Sequence, residues 1–383
     1  MNDVLSIFTI SLEGSLFAFQ FELSTGTIHP LFNSKDHIGR IKALHATDDG
    51  LILTSGEDEN IRLYNYHRKK KLSSVFGLNG VCTRICSTKD YLVTCHENGQ
   101  VGIVGKKDFA VYHRIKAFKE SCIDIDIHPS NTLLVCLNAM GRFSVWNLAD
   151  CAMIFHRKIK VPAEYIRFLN DENMLILTRN TIYSFNLKTM AITNEIVVPD
   201  KTKINDCVVY RGDKKNFTVV ACENGMIYFY TENNFEENES EDEFPNNYIC
   251  FKAYEYRVKR VSVVENYLVS VSTEGDISIW DINEIVNNDD IKGAVLIDAY
   301  SAVYEYKMDS RLIGVECVFY KKKEDQPKAD TEPVTEKTKE VKAKPVKETK
   351  PVKAKDKVDK QKKNRFVKQK KIGKKKGNKK QTN

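Results

Sequence analysis

Nowhere in this 383-residue chain do about eighteen uncharged apolar residues follow one another, so no segment qualifies as a membrane-spanning helix. A soluble protein with no membrane partner is expected. The apolar start from Val4 to Phe21 has Asp3 where a secretory leader carries basic residues, and Glu13 in its middle, which argues against secretion. The ten cysteines include no Cys-x-x-Cys pair. Cys82 and Cys86 are the one close spacing, without a second pair or neighbouring histidines, so a zinc site is not expected, nor is a disulfide framework in so long a chain. Several cysteines, such as Cys136 and Cys222, sit inside apolar runs, where a reduced thiol behaves as a small hydrophobe in an intracellular protein.

Catalytic signatures are missing as well. There is no Gly-x-Ser-x-Gly elbow and no phosphate loop of the Gly-x4-Gly-Lys-Ser/Thr type, and the eight histidines are scattered. His128 precedes Pro129 and reads as a turn, while His96 beside Glu97 falls at a hairpin, where polar turn residues are expected. The expectation is a protein that is not an enzyme and needs no cofactor or metal.

What is present is charge, unevenly distributed. The chain carries 59 Lys plus Arg against 52 Asp plus Glu, a formal +7. Residues 321–383 hold 25 basic and 9 acidic side chains, which leaves 34 basic and 43 acidic in the rest. An acidic body thus joins a strongly basic tail.

The body repeats itself. Ser55-Gly56-Glu57-Asp58-Glu59-Asn60-Ile61-Arg62-Leu63-Tyr64-Asn65 reads as a strand end, a tight polar turn and an alternating strand closed by an aromatic. Counterparts follow at Glu97 to Val104, Met140 to Asn147, Glu223 to Tyr230 and Thr273 to Asp281, with weaker copies at Glu13 to Gln20 and Arg179 to Asn186. The first apolar residues after the turns are Leu16, Ile61, Val101, Phe143, Ile182, Ile227 and Ile277, spaced by 45, 40, 42, 39, 45 and 50 residues. A unit near forty residues cannot bury both faces of its own sheet, so neighbouring sheets must stack radially. An all-β, seven-bladed propeller is therefore expected over residues 1–320. Its N-terminal strands, 4–21, would close the ring with 311–320 and so remove two exposed edges.

Trp280-Asp281 at a blade end resembles the WD-repeat superfamily, with Trp146-Asn147 and Tyr64-Asn65 as near matches. The opening histidine usual there is replaced in Lys116-Ala117-Phe118 and Lys252-Ala253-Tyr254, so apolar packing is expected where typical blades carry a hydrogen-bonded network. Order and spacing, together with the Lys-rich tail, are similar to the p21-activated kinase-interacting protein family, of the maintenance-of-killer type in yeast. The segments that carry this likeness are the Ser55 to Asn65 blade ending, Ile115-Lys116-Ala117-Phe118-Lys119 leading to Ile127-His128-Pro129-Ser130 and Trp146-Asn147-Leu148, and Phe251 to Lys259. The short turn at Asn180-Thr181-Ile182-Tyr183 belongs with them. The resemblance implies a non-enzymatic scaffold in nucleolar assembly of the large (60S) ribosomal subunit. It also implies pre-60S proteins as partners, among them a biogenesis relative of ribosomal protein L-twenty-four, with the chain a monomer inside a larger particle in the nucleus and nucleolus. The alternative it carries is a signalling adaptor that binds and inhibits a p21-activated kinase.

The tail, residues 321–383, mixes Lys, Glu, Thr, Val and Pro without apolar rhythm and is expected to be disordered when free. Lys362, Lys363, Arg365, Lys370, Lys371, Lys374, Lys375, Lys376, Lys379 and Lys380 suit rRNA phosphates, through counterion release, or an import receptor. An acidic run, Glu232 to Glu243, reads as a surface loop or as a competitor for that tail. On the body, Arg40, Arg84, Arg167 and Arg257 lie just before or within the strands that enter blades, and are candidates for binding at a propeller face.

Overall fold

The computed structural model describes residues 3–159, 161–212, 215–235, 247–287, 294–297 and 300–321. Among these, seven antiparallel sheets form the blades of a β-propeller. The first blade combines the two ends of the described chain: Leu312–Lys321 is its innermost strand and pairs with Asp3–Ser11, followed outward by Leu16–Glu22 and Thr27–Ser34. The innermost strands of blades two to seven are Ile41–Ala46, Cys82–Ser87, Cys122–Ile127, Tyr165–Phe168, Ile204–Arg211 and Val258–Val264.

Burial is highest in the second strand of a blade and lowest in the outer one, and the residue types follow it. Second strands such as Leu51–Gly56 are buried at every position, whereas outer strands such as Met153–Lys158 are almost wholly exposed. Strands covered on both faces need near-continuous apolar runs, and Leu51-Ile52-Leu53 or Leu133-Leu134-Val135 supply them. The seven residues that mark the repeat, from Leu16 to Ile277, begin or nearly begin third strands and are all at most 2% exposed.

The core is a ring of seven clusters, each wedged between two neighbouring blades. One unites Phe143 and Val145 of blade four with Phe168, Ile176 and Phe185 of blade five. Another unites Leu5, Ile7 and Phe21 of blade one with Val269, Val271 and Ile277 of blade seven. No blade owns a core, so the pairing of the terminal strands seals the last wedge and with it the ring.

In five of the seven blades the turn between second and third strands places a glycine at positive φ, and blade two places Glu59 there. At Gly225 φ is +83°, and a Cβ there would stand 2.0 Å from the Tyr254 carbonyl oxygen. The Asn224-Gly225 turn therefore lies directly against the loop that leads into blade seven.

Apolar packing at the altered opening positions is found at Phe118, which joins the cluster between blades three and four. Tyr254 departs from that expectation. Its hydroxyl lies 2.8 Å from Ser270 Oγ, which also accepts the Trp280 indole N–H at 2.9 Å. Blade two keeps a histidine, with His37 placed 2.8 Å from both Thr54 Oγ1 and Asp58 Oδ1, while Arg62 donates to Asp58 at 2.7 Å. Burial pushes the Asp58 carboxyl up, but the bonds from His37 and Arg62 outweigh it and hold the carboxyl well below the usual range. A buried polar strand end needs partners, and tyrosine with serine meets that need as well as histidine with aspartate.

Candidate interaction surfaces

Six of the seven innermost strands carry a register shift near the start of the strand, in the first blade at Ser11 opposite Leu312. In four of them, the residue two places after the first buried apolar position is charged: Arg84 after Cys82, Asp124 after Cys122, Asp206 after Ile204 and Arg260 after Val258. A bulge turns that side chain toward the axis. With Asp126, Arg167, Arg211 and Glu316 these residues line a central cavity of about 260 Å³.

The carboxylates stitch one blade to the next. Asp124 Oδ2 accepts the Ile166 backbone N–H at 2.9 Å and Arg167 Nη1 at 2.5 Å, and its other oxygen lies 3.7 Å from Arg84 Nε. Asp126 accepts the Phe168 N–H at 2.7 Å. Asp206 repeats the pattern one blade pair on, taking the Val261 N–H at 3.1 Å and Arg260 Nη1 at 2.9 Å. Arg167 reaches across in turn, donating from Nε to the Cys207 carbonyl at 3.1 Å. Burial disfavours its charge, but Asp124 and Asp126 outweigh that and raise its pKa further. Glu316 makes no hydrogen bond or ion pair among the described residues, and burial pushes its carboxyl up to about 7 against the pull of Arg84. Arg84 Nε and Arg167 Nη2 have no hydrogen-bond partner there, so the girdle keeps spare donors.

The second surface is one face of the disc. Alternating strand direction puts the loops between blades at the same end as the turns between second and third strands. Large apolar side chains stand exposed there on separate blades: Ile38 at 81%, Phe76 at 76%, Met140 at 60% and Tyr256 at 57%. Arg40 and Arg257 belong to this face. The Arg40 backbone exchanges hydrogen bonds with Glu57, and Arg257 Nη1 lies 3.3 Å from Glu223.

The four candidate arginines are thus divided. Arg84 and Arg167 meet at Asp124 inside the channel, while Arg40 and Arg257 are separate and exposed. The basic residues Lys362 to Lys380 lie outside the described residues, as does most of the acidic run Glu232 to Glu243. Glu232 itself accepts hydrogen bonds from Asn170 and Asn216. Asp124, Asp206, Arg260 and Glu316 were not anticipated. The register of Cys82-x-Arg84, repeated in Cys122-x-Asp124, Ile204-x-Asp206 and Val258-x-Arg260, was the signal that could have found three of them.

Fold and surfaces define a class: a seven-bladed propeller that serves as a protein-interaction scaffold. No family model matches the chain. Shk1 kinase-binding protein 15 of Schizosaccharomyces pombe is 26% identical over 257 residues, covering 66% of this chain and 70% of that protein. The p21-activated protein kinase-interacting protein 1-like of Gallus gallus is 25% identical over 275 residues, covering 68% and 69%. Protein MAK11 of Saccharomyces cerevisiae is 22% identical over 290 residues, covering 66% and 70%. These relatives support the likeness of the chain to the p21-activated kinase-interacting, maintenance-of-killer type WD-repeat family. Among solved structures, the computationally designed Ika8 protein shares the fold, with a TM-score of 0.57 at 12% identity over 80% of this chain and 85% of that one.

Proposed function

We propose that this protein is a non-enzymatic scaffold in nucleolar assembly of the large ribosomal subunit. In this role the face bearing Ile38, Phe76, Met140 and Tyr256 docks pre-60S proteins. The observation that carries the reading is that face: large apolar side chains left in water on four separate blades mark a surface meant to be covered. Arg40 and Arg257 supply a charged rim around those anchors, the composition expected of a protein interface. The basic tail from Lys362 to Lys380 adds sequence-independent affinity for rRNA or an import receptor. The family resemblance directs the choice of particle, with a relative of ribosomal protein L-twenty-four among the partners.

Names of the relatives from Schizosaccharomyces pombe and Gallus gallus favour a second reading, a signalling adaptor that restrains a p21-activated kinase. Gradient sedimentation of cell extracts separates the two. The scaffold comigrates with pre-60S particles, loses part of that association without residues 352–383, and loses more when Phe76→Asp and Tyr256→Asp are combined. An adaptor stays near the top of the gradient and binds the kinase at any salt concentration.

A further inference from the structure

Outer strands are where a propeller is open to addition, because each has one unpaired edge. This chain closes several of its own. Blade one places Pro30 in its outer strand and blade two starts its outer strand with Lys70 and Lys71, both devices that discourage pairing. Blade five has the carbonyls of Asn234 and Phe235 laid against Asn194 and Thr193 of its outer strand. Blade six goes further. A strand from the next blade's connection, Ala294–Ile297, pairs in parallel with its outer strand Tyr248–Lys252 as a fifth member. Val295 and Ile297 of that strand pack into the cluster between blades six and seven, while Ala294 and Leu296 face outward.

Blade four has the same architecture without the cover. Among the described residues its outer strand, Met153–Lys158, pairs only with Arg142–Asn147, and Met153 and Ile154 are 48% and 54% exposed. Beside it, between blades four and five, lies a cavity of about 580 Å³ lined by Phe143, Ile159, Phe185, Met190 and Ile192, with Arg157 and Lys158 at its margin. This is the position that Val295 and Ile297 fill two blades further on. Blade five joins its third and outer strands by a short turn at Leu187–Met190, so its connection has no residues to spare for covering blade four.

We propose that the outer edge of blade four takes a fifth strand from a partner protein: an extended segment in which apolar residues alternate with acidic ones. The apolar residues enter the groove toward Phe185 and Ile192. The acidic ones meet the basic end of the strand, His156-Arg157-Lys158, to which the segment is complementary in charge. Main-chain hydrogen bonds to the open edge supply affinity, and the groove supplies selectivity. This site is separate from the face proposed above and stands or falls without it.

The test is selection of random peptides of about twelve residues, displayed on phage, against the full chain, followed by fluorescence anisotropy with the synthetic winners. Alternating apolar and acidic peptides are expected to be enriched. Their affinity should fall roughly tenfold or more in Ile192→Asp and in Arg157→Glu combined with Lys158→Glu, and stay unchanged in Phe76→Asp. Backbone N-methylation at alternate residues of the peptide should abolish binding in one phase of the alternation only. Failure to enrich such peptides, equal affinity for all variants of unchanged melting temperature, or indifference to N-methylation would overturn the proposal. A labelled oligouridine that binds the wild type in place of the peptides, and is lost on charge reversal, would overturn it in favour of RNA.

Discussion

The channel wall and the apolar face meet where each innermost strand begins, yet they hold charge in opposite ways. In the wall, Asp124 is 4% exposed and is shared by two guanidinium groups and a backbone N–H from the next blade. On the face, Arg257 and Glu223 are each more than 40% exposed at a 3.3 Å separation, a pair that water and salt screen. The wall uses charge to fix blades to one another, and the face leaves charge free to meet something else. Arginine is therefore no marker of binding in this fold until its depth is known.

Asp124→Ala should have the largest effect. It strips the buried Arg167 of its partner and leaves the Ile166 N–H unpaired, so a loss of about 3–5 kcal/mol is expected in urea denaturation. A loss below about 1 kcal/mol would put the wall on the same footing as the face. Ser270→Ala comes next, because the Tyr254 hydroxyl and the Trp280 indole both lose their meeting point, at a cost of about 1–3 kcal/mol. Glu316 sharpens the contrast through pH. Its folded pKa, about 7, lies above the ordinary 4.5, so the native state keeps a proton that the unfolded chain has released. Stability must then fall as pH rises from about 4.5 through about 7, and Glu316→Gln should flatten that fall by about 1–3 kcal/mol in melts across the window. Smallest of all, Arg257→Ala should shift stability by no more than about 0.5 kcal/mol while weakening capture of the particle.

Much of the fold was legible because a blade is a local object. Asn98-Gly99 and Asn224-Gly225 specify hairpins within a few residues, and the forty-residue rhythm of Leu16 to Ile277 follows from repeating one such unit. The polar contacts at Tyr254 were less legible, since its partner Ser270 is sixteen residues away and is itself chosen by Trp280. Least legible was the channel. The Asp124 to Ile166 and Asp206 to Val261 bonds span 42 and 55 residues and depend on a bulge that no single strand announces.

The amino-acid order alone settled the number of blades, the position of their turns and the separation of an acidic body from a basic tail, because each depends on near neighbours or on summed composition. Only the closed ring decided which arginines are buried braces and which are exposed, and that the outer edge of blade four lacks, among the described residues, the fifth strand that blade six has. Those properties belong to contacts between blades, and such contacts come into being when sheets distant in sequence are pressed together around a common axis.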